Sequence, residues 1–240
     1  MKTILLFILT ISALFADMAQ STTEIQLDGW YAKDTGSFQN NGSVINLNER
    51  GFDSKIAPYI SVDFNGKGKY KNFKLDYTHI KQDSKKVLTA DMQQNGVNFD
   101  RDEITKSTLD LDIVDAIYYI DAGKVKQTEI KVGVGLRYVD GSYQTQICSK
   151  RAKTNFDMVT PIGYVELNMT PTWLPAVWTN ELILSPTNDE HIDVRTALKK
   201  EIHKNINAEI GYRANEYDRK DGYKAYIISK GFYFGMSYKF

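Results

Sequence analysis

What this chain of 240 residues lacks narrows its class first. It has a single cysteine, Cys148, so no internal disulfide can form and a small disulfide-stapled scaffold is excluded. Its three histidines and one cysteine never fall at metal-ligand spacing, and no glycine-rich phosphate loop occurs, so the sequence offers no cofactor or metal site. Neither sign of charge is in excess. Thirty basic residues balance thirty acidic ones, which removes the electrostatic footprint of a nucleic-acid binder. Mean hydropathy is negative, at -0.40, which excludes a helical membrane bundle. A membrane β-barrel survives this exclusion, because only alternate residues of its strands meet lipid.

Aromatic residues are plentiful instead: 15 Tyr, 11 Phe and 3 Trp. The clearest pattern is the last ten residues, 231–240. Phe232, Phe234, Met236, Tyr238 and Phe240 fall on one face of a strand, and Tyr233, Gly235, Ser237 and Lys239 on the other. A soluble protein would be offering this aromatic strand as an edge for aggregation, whereas a wall facing lipid requires such a surface. The ending also resembles the assembly signal of bacterial outer-membrane barrels, with Tyr233, Gly235, Tyr238 and Phe240 at its positions. That resemblance implies the barrel-assembly machinery as a partner. It also calls for a leader, and one is present. Lys2 precedes an apolar run from Ile4 to Phe15, with a small residue, Ala16, at the cleavage point. The expected division is therefore a cleaved signal peptide, 1–16, and a single domain, 17–240.

Period-2 alternation predicts ten strands, at 24–33, 56–65, 72–81, 108–121, 127–140, 161–169, 176–185, 190–201, 205–215 and 231–240. In the eighth, Val194, Leu198 and Ile202 also repeat at helical spacing, so a helix over 193–203 competes with a strand. In the fourth, the alternation changes phase around Val114 and Asp115, which suggests a bulge or a charge near a rim. The long connections 34–55, 82–106, 141–160 and 216–229 alternate with tight turns. That asymmetry, with an even strand count, is the arrangement of an all-β, antiparallel, up-and-down transmembrane barrel. Eight and twelve strands also fit.

With the apolar faces outward, the inward set is charged: Asp28, Asp63, Lys74, Asp76, Lys131, Arg137, Glu209, Arg213 and Lys239, joined by Glu166, Asp193, Arg195 and Lys199. A ten-stranded barrel has a narrow interior, and charges buried there must pair. A packed ion-pair network is one reading. A small porin-like pore is the other, with Gly133, Gly135 and Gly211 leaving room. An omptin-like hydrolase would use a rim pair, His191 with Asp189, Glu190 and Asp193, or His79 with Asp83. No catalytic residue is assigned. A soluble periplasmic barrel binding an apolar ligand would need the apolar faces inward.

Short patterns along the chain resemble a family of bacterial outer-membrane β-barrel proteins of no established biochemical role. They are Gly29-Trp30 with Asp34 and Gly36, Asn41-Gly42, Pro58-Tyr59, Leu75 to Thr78, Asp115 with Tyr118-Tyr119, Val132 to Gly135, Asp140-Gly141, Pro161 with Tyr164, and Gly211 to Arg213. The lysine-rich turn from Gly66 to Lys71 departs from that family. The resemblance implies an integral protein of a Gram-negative outer membrane, with lipid as its surroundings; a monomer is the expected state. It brings no catalytic residues and no cofactor.

Overall fold

The computed structural model describes residues 22–39, 43–66, 72–148, 150–185, 187, 190–219 and 224–240. The expected leader and its cleavage point lie outside them. The described elements are β1 (Thr22–Gln39), β2 (Ile45–Asn46), α1 (Leu47–Arg50), β3 (Lys55–Asn65), β4 (Asn72–Val87), β5 (Met92–Gln94), β6 (Val97–Phe99), β7 (Ile104–Val125), β8 (Thr128–Ile147), β9 (Lys150–Met169), β10 (Val177–Ser185), β11 (Glu190–His203), β12 (Ile206–Arg219) and β13 (Lys224–Lys239). Ten of the strands run antiparallel in the order β1-β3-β4-β7-β8-β9-β10-β11-β12-β13, and β13 pairs back onto β1, closing the barrel. The expected count and topology hold. The helical alternative for 193–203 does not, because β11 pairs along its length with both β10 and β12.

The belt that faces outward is mainly apolar, with Asn180 and Thr196 as polar exceptions on β10 and β11. Leu27, Val134, Ile210 and Phe234 are each more than half exposed, as lipid-facing side chains must be in a bare barrel. On β1 the belt runs from Ile25 to Tyr31; on β7 from Val114 to Ile120; on β8 from Ile130 to Tyr138; on β13 from Phe232 to Tyr238. These directions contradict an inward-facing apolar pocket, and with it the soluble periplasmic barrel.

Beyond the outer edge of the belt the strands continue, and their sense inverts. On β7, Val114, Ala116 and Tyr118 face out and Asp115 faces in. A few residues nearer the outside, Asp110 and Asp112 face out while Leu109, Leu111 and Ile113 are buried inside. No bulge lies at Val114, since the pairings with β4 and β8 run through it unbroken; the register shift of β7 is at Asp121/Gly123. The change of phase therefore marks the place where the surrounding solvent changes from hydrocarbon to water. β4 behaves alike: Leu75 and Tyr77 face out below, Lys81, Asp83 and Lys85 above, and inside Lys74 and Asp76 give way to Ile80.

The same inversion corrects two of the expected long loops. Residues 141–160 are mostly the outer ends of β8 and β9, joined so tightly that Ile147 pairs with Lys150 and Cys148 sits exposed at the tip with φ 43°. Residues 216–229 are largely the ends of β12 and β13. Among the described residues, 43–54 and 88–103 remain as long connections on that side, and the second carries the β5–β6 hairpin. β3 pairs with β4 only as far as Tyr59 and Thr78, and β10 with β9 only from Gly163 to Met169. The wall thus splits outside the membrane. Strands β4, β7, β8 and β9 face β1, β12 and β13 across an apolar core. Phe38 of one side meets Tyr143 and Phe156 of the other, each at 5.8 Å between ring centroids. Each fully buried side chain of this kind is worth about 1.5–3 kcal/mol.

Candidate lumenal site

Below the apolar core, nearly every strand brings polar residues inward, beside a smaller apolar cluster of Ile117, Tyr119, Ile162, Tyr164 and Ile183 on β7, β9 and β10. Alternation places them there: with one face of each strand given to lipid, the other has nowhere else to point. The innermost group is built on two arginines. Arg213 on β12 holds Asp193 on β11 by two bonds, Nε–Oδ1 at 3.0 Å and Nη2–Oδ2 at 2.7 Å, and donates to Thr78 Oγ1 at 3.0 Å. Arg137 on β8 holds Asp115 on β7 by two bonds of 2.5 Å and reaches Asp193 Oδ2 at 3.2 Å. Asn215 donates to the same Asp193 oxygen at 3.0 Å. Arg137 is fully buried, and paired fork geometry of this kind is the strongest that a guanidinium makes. The Arg213 guanidinium also lies 4.7 Å from the Trp30 ring centroid, and Arg195 lies 4.0 Å from that of Tyr59.

Nearer the periplasmic end, three cations are each shared by two carboxylates. Lys131 stands between Glu166 (2.9 Å) and Asp63 (3.9 Å), Arg195 between Asp28 (2.6 Å) and Glu209 (3.5 Å), and Lys74 between Asp76 (3.2 Å) and Glu181. In each set one carboxylate, Asp63, Asp28 or Glu181, comes from a strand that is not a neighbour of the cation's, so the set reaches across the lumen. Lys199 pairs with Glu24. Beside these sets lies a cavity of about 550 Å³, with Leu174 and Pro175 of the β9–β10 connection and Val177 of β10 among its lining residues.

Eight of the nine inward residues named from the sequence stand in these ion pairs. Lys239 does not: it is exposed at the end of β13, with no ion pair among the described residues. The partners the sequence did not supply are Asp115, Glu181 and Glu24. Glu181 was hidden because β10 carries a polar residue, Asn180, on its outward face, which blurs the alternation. The three glycines expected to leave room do not. A Cβ on Gly133 would lie 2.7 Å from that of Tyr119, one on Gly211 2.7 Å from the Tyr233 ring, and one on Gly135 2.3 Å from the Ala116 carbonyl. Neighbouring rings and backbone already occupy the space.

The assembly-signal residues divide between the faces. Tyr233 and Gly235 point inward, where Gly235 leaves space for Asp28; Tyr238 and Phe240 point outward and meet edge to face at 4.7 Å. The rim pairs separate. His191 is 1% exposed inside the barrel beside Asn215, not at a solvated rim, and Asp193 serves the two arginines. Asp189 and the Glu190 side chain lie outside the described residues. Asp83 pairs with Lys55 at 2.6 Å and accepts from Thr108, which together hold its carboxyl below the usual range. His79 sits on the outer face near Asp112 (3.0 Å) and Asp110 (3.7 Å), ligand atoms close enough to share an ion. Sequence spacing missed this trio because two strands supply it.

No protein-family model matches the chain, and no curated protein matches it. Among solved structures, the chain is similar to the outer membrane protease OmpT from Escherichia coli, at 8% identity and a TM-score of 0.52, with 93% of this chain and 97% of that one covered. It also resembles Neisserial surface protein A (16% identity, TM-score 0.40, 91% and 97% covered). A third is the translocator domain of autotransporter NalP from Neisseria meningitidis (13%, 0.42, 96% and 94%). Identities this low speak to fold alone. A closed antiparallel barrel with an outward apolar belt is an integral protein of the bacterial outer membrane.

Proposed function

We propose that this chain, after loss of a leader at 1–16, is a monomeric structural protein of the outer membrane, a wall with a filled lumen and no catalytic role. One observation carries the reading. The Arg137–Asp115–Asp193–Arg213 cluster is almost wholly buried across the middle of the lumen, with Trp30 and Tyr59 against it and an apolar core outside it. An open pore would leave such charges solvated. Burial of His191 supports a non-catalytic reading, because a general base needs access to its water. Insertion of the C-terminal strand by the barrel-assembly machinery belongs to the same proposal. The test is planar-bilayer conductance of the refolded protein. Silence at all voltages that leave the bilayer intact is expected; discrete, reproducible channel events overturn the proposal in favour of a pore.

A further inference from the structure

We infer that the cavity at the periplasmic end of the lumen binds a small linear polyamine, an aliphatic chain carrying several ammonium groups. The lumenal ion pairs do not balance. Three cations, Lys131, Lys74 and Arg195, answer six carboxylates, whereas Lys199 and Glu24 answer each other one to one. In the lining itself, where Asp28 and Asp76 take no part, carboxylates exceed cations by seven to five, around a cavity of about 550 Å³, within the roughly 300–1,000 Å³ range of small-molecule sites. Behind Ser61 and Lys74 of the lining, and outside the lining themselves, two buried polar atoms have no hydrogen-bond partner: Asp76 Oδ1 and the Tyr59 hydroxyl.

The spacing of the surplus charge decides the ligand class. Among the described residues, the metal-like grouping is His79, Asp110 and Asp112 on the outer face; no three lumenal carboxylates converge closely enough to hold one ion. The excess is instead spread over three sets, on β3, β8 and β9, on β4 and β10, and on β1, β11 and β12. A compact divalent cation can meet one set at a time. Ammonium groups strung on methylene segments can meet several, with the methylenes against Tyr233, Leu174 and Val177 of the lining. Anionic ligands are repelled by the same surplus.

The test is calorimetric titration of the refolded full chain in detergent with spermidine, beside magnesium ion as the compact control. One saturable site for spermidine is expected, with magnesium at least tenfold weaker. In the double variant Asp63→Asn/Glu209→Gln, each cation keeps its nearer carboxylate, so the barrel should stay folded by circular dichroism while spermidine affinity falls at least tenfold. Ala176→Trp, which narrows the lining without altering charge, should weaken binding independently. Asp112→Asn on the outer face should leave it unchanged. No saturable binding to the native chain, equal affinity for magnesium, or equal loss in Asp112→Asn overturns the inference. Equilibrium binding does not depend on conductance, so failure here is separable from failure of the closed-wall reading.

Discussion

Asp193 accepts from Arg137, Arg213 and Asn215 at once, and its removal should be among the most damaging single changes in the lumen. Taking away one member of a buried ion-pair cluster leaves uncompensated charge, typically costing about 3–5 kcal/mol. Asp193→Ala is expected to lose about that much, read as a lowered urea midpoint of the refolded protein. Lys239→Ala, exposed and in no ion pair among the described residues, should change it by no more than about 0.5 kcal/mol. Asp34 is a different case. It sits just outside the belt, 2% exposed, and burial pushes its carboxyl from 3.8 up to about 6. Ser229, directly opposite, offsets part of the cost, although neither Asp34 oxygen has a hydrogen bond of normal geometry. The folded state therefore holds a proton that the unfolded chain releases near pH 4. Stability from this group is fully present below pH 4 and falls as pH rises to about 6, by on the order of 3 kcal/mol. Asp34→Asn should raise stability at pH 7.5 and flatten that slope in urea unfolding measured from pH 4 to 8. An unchanged slope would mean that the carboxyl is paired after all.

At the level of the element, the inversion along β7 is the feature with most to say. One strand, with unbroken register, presents Val114 to lipid and Asp112 to water, while its inner face passes from Asp115 to Ile113 and Leu111. The strand is amphipathic twice, in opposite senses, because its surroundings change and its backbone does not. Tryptophan substitution locates the boundary. In vesicles of brominated lipid, Val114→Trp should add strongly quenched emission, and Asp112→Trp emission that is quenched little. Equal quenching of the two would place the membrane edge elsewhere. The inversion also explains why strand ends were read as loops. Residues 141–147 alternate as regularly as the belt, with Tyr143 and Ile147 inside and Ser142, Gln144 and Gln146 outside. A search for outward apolar residues stops at Tyr138.

For the whole molecule, closure depends on β13 meeting β1, and the last residue takes part. The Phe240 amide donates to the Thr23 carbonyl at 2.8 Å, and its ring packs on Tyr238. Deleting Phe240 is expected to lower the amount of protein assembled in the outer membrane several-fold while export across the inner membrane continues, as judged by fractionation. Undiminished outer-membrane levels would count against an assembly role for the terminus.

Period-2 alternation and the placement of turns were enough to set ten antiparallel strands, the outward direction of the belt and the identity of most inward charges, since these depend only on neighbours two residues apart. Which charge meets which was beyond that reach. Arg195 and Asp28 are 167 positions apart and touch only because the sheet closes. The space beside Gly133 and Gly211 likewise belongs to Tyr119 and Tyr233 from adjacent strands. Local pattern determined the wall; what fills it was decided by the register and closure that bring distant strands face to face.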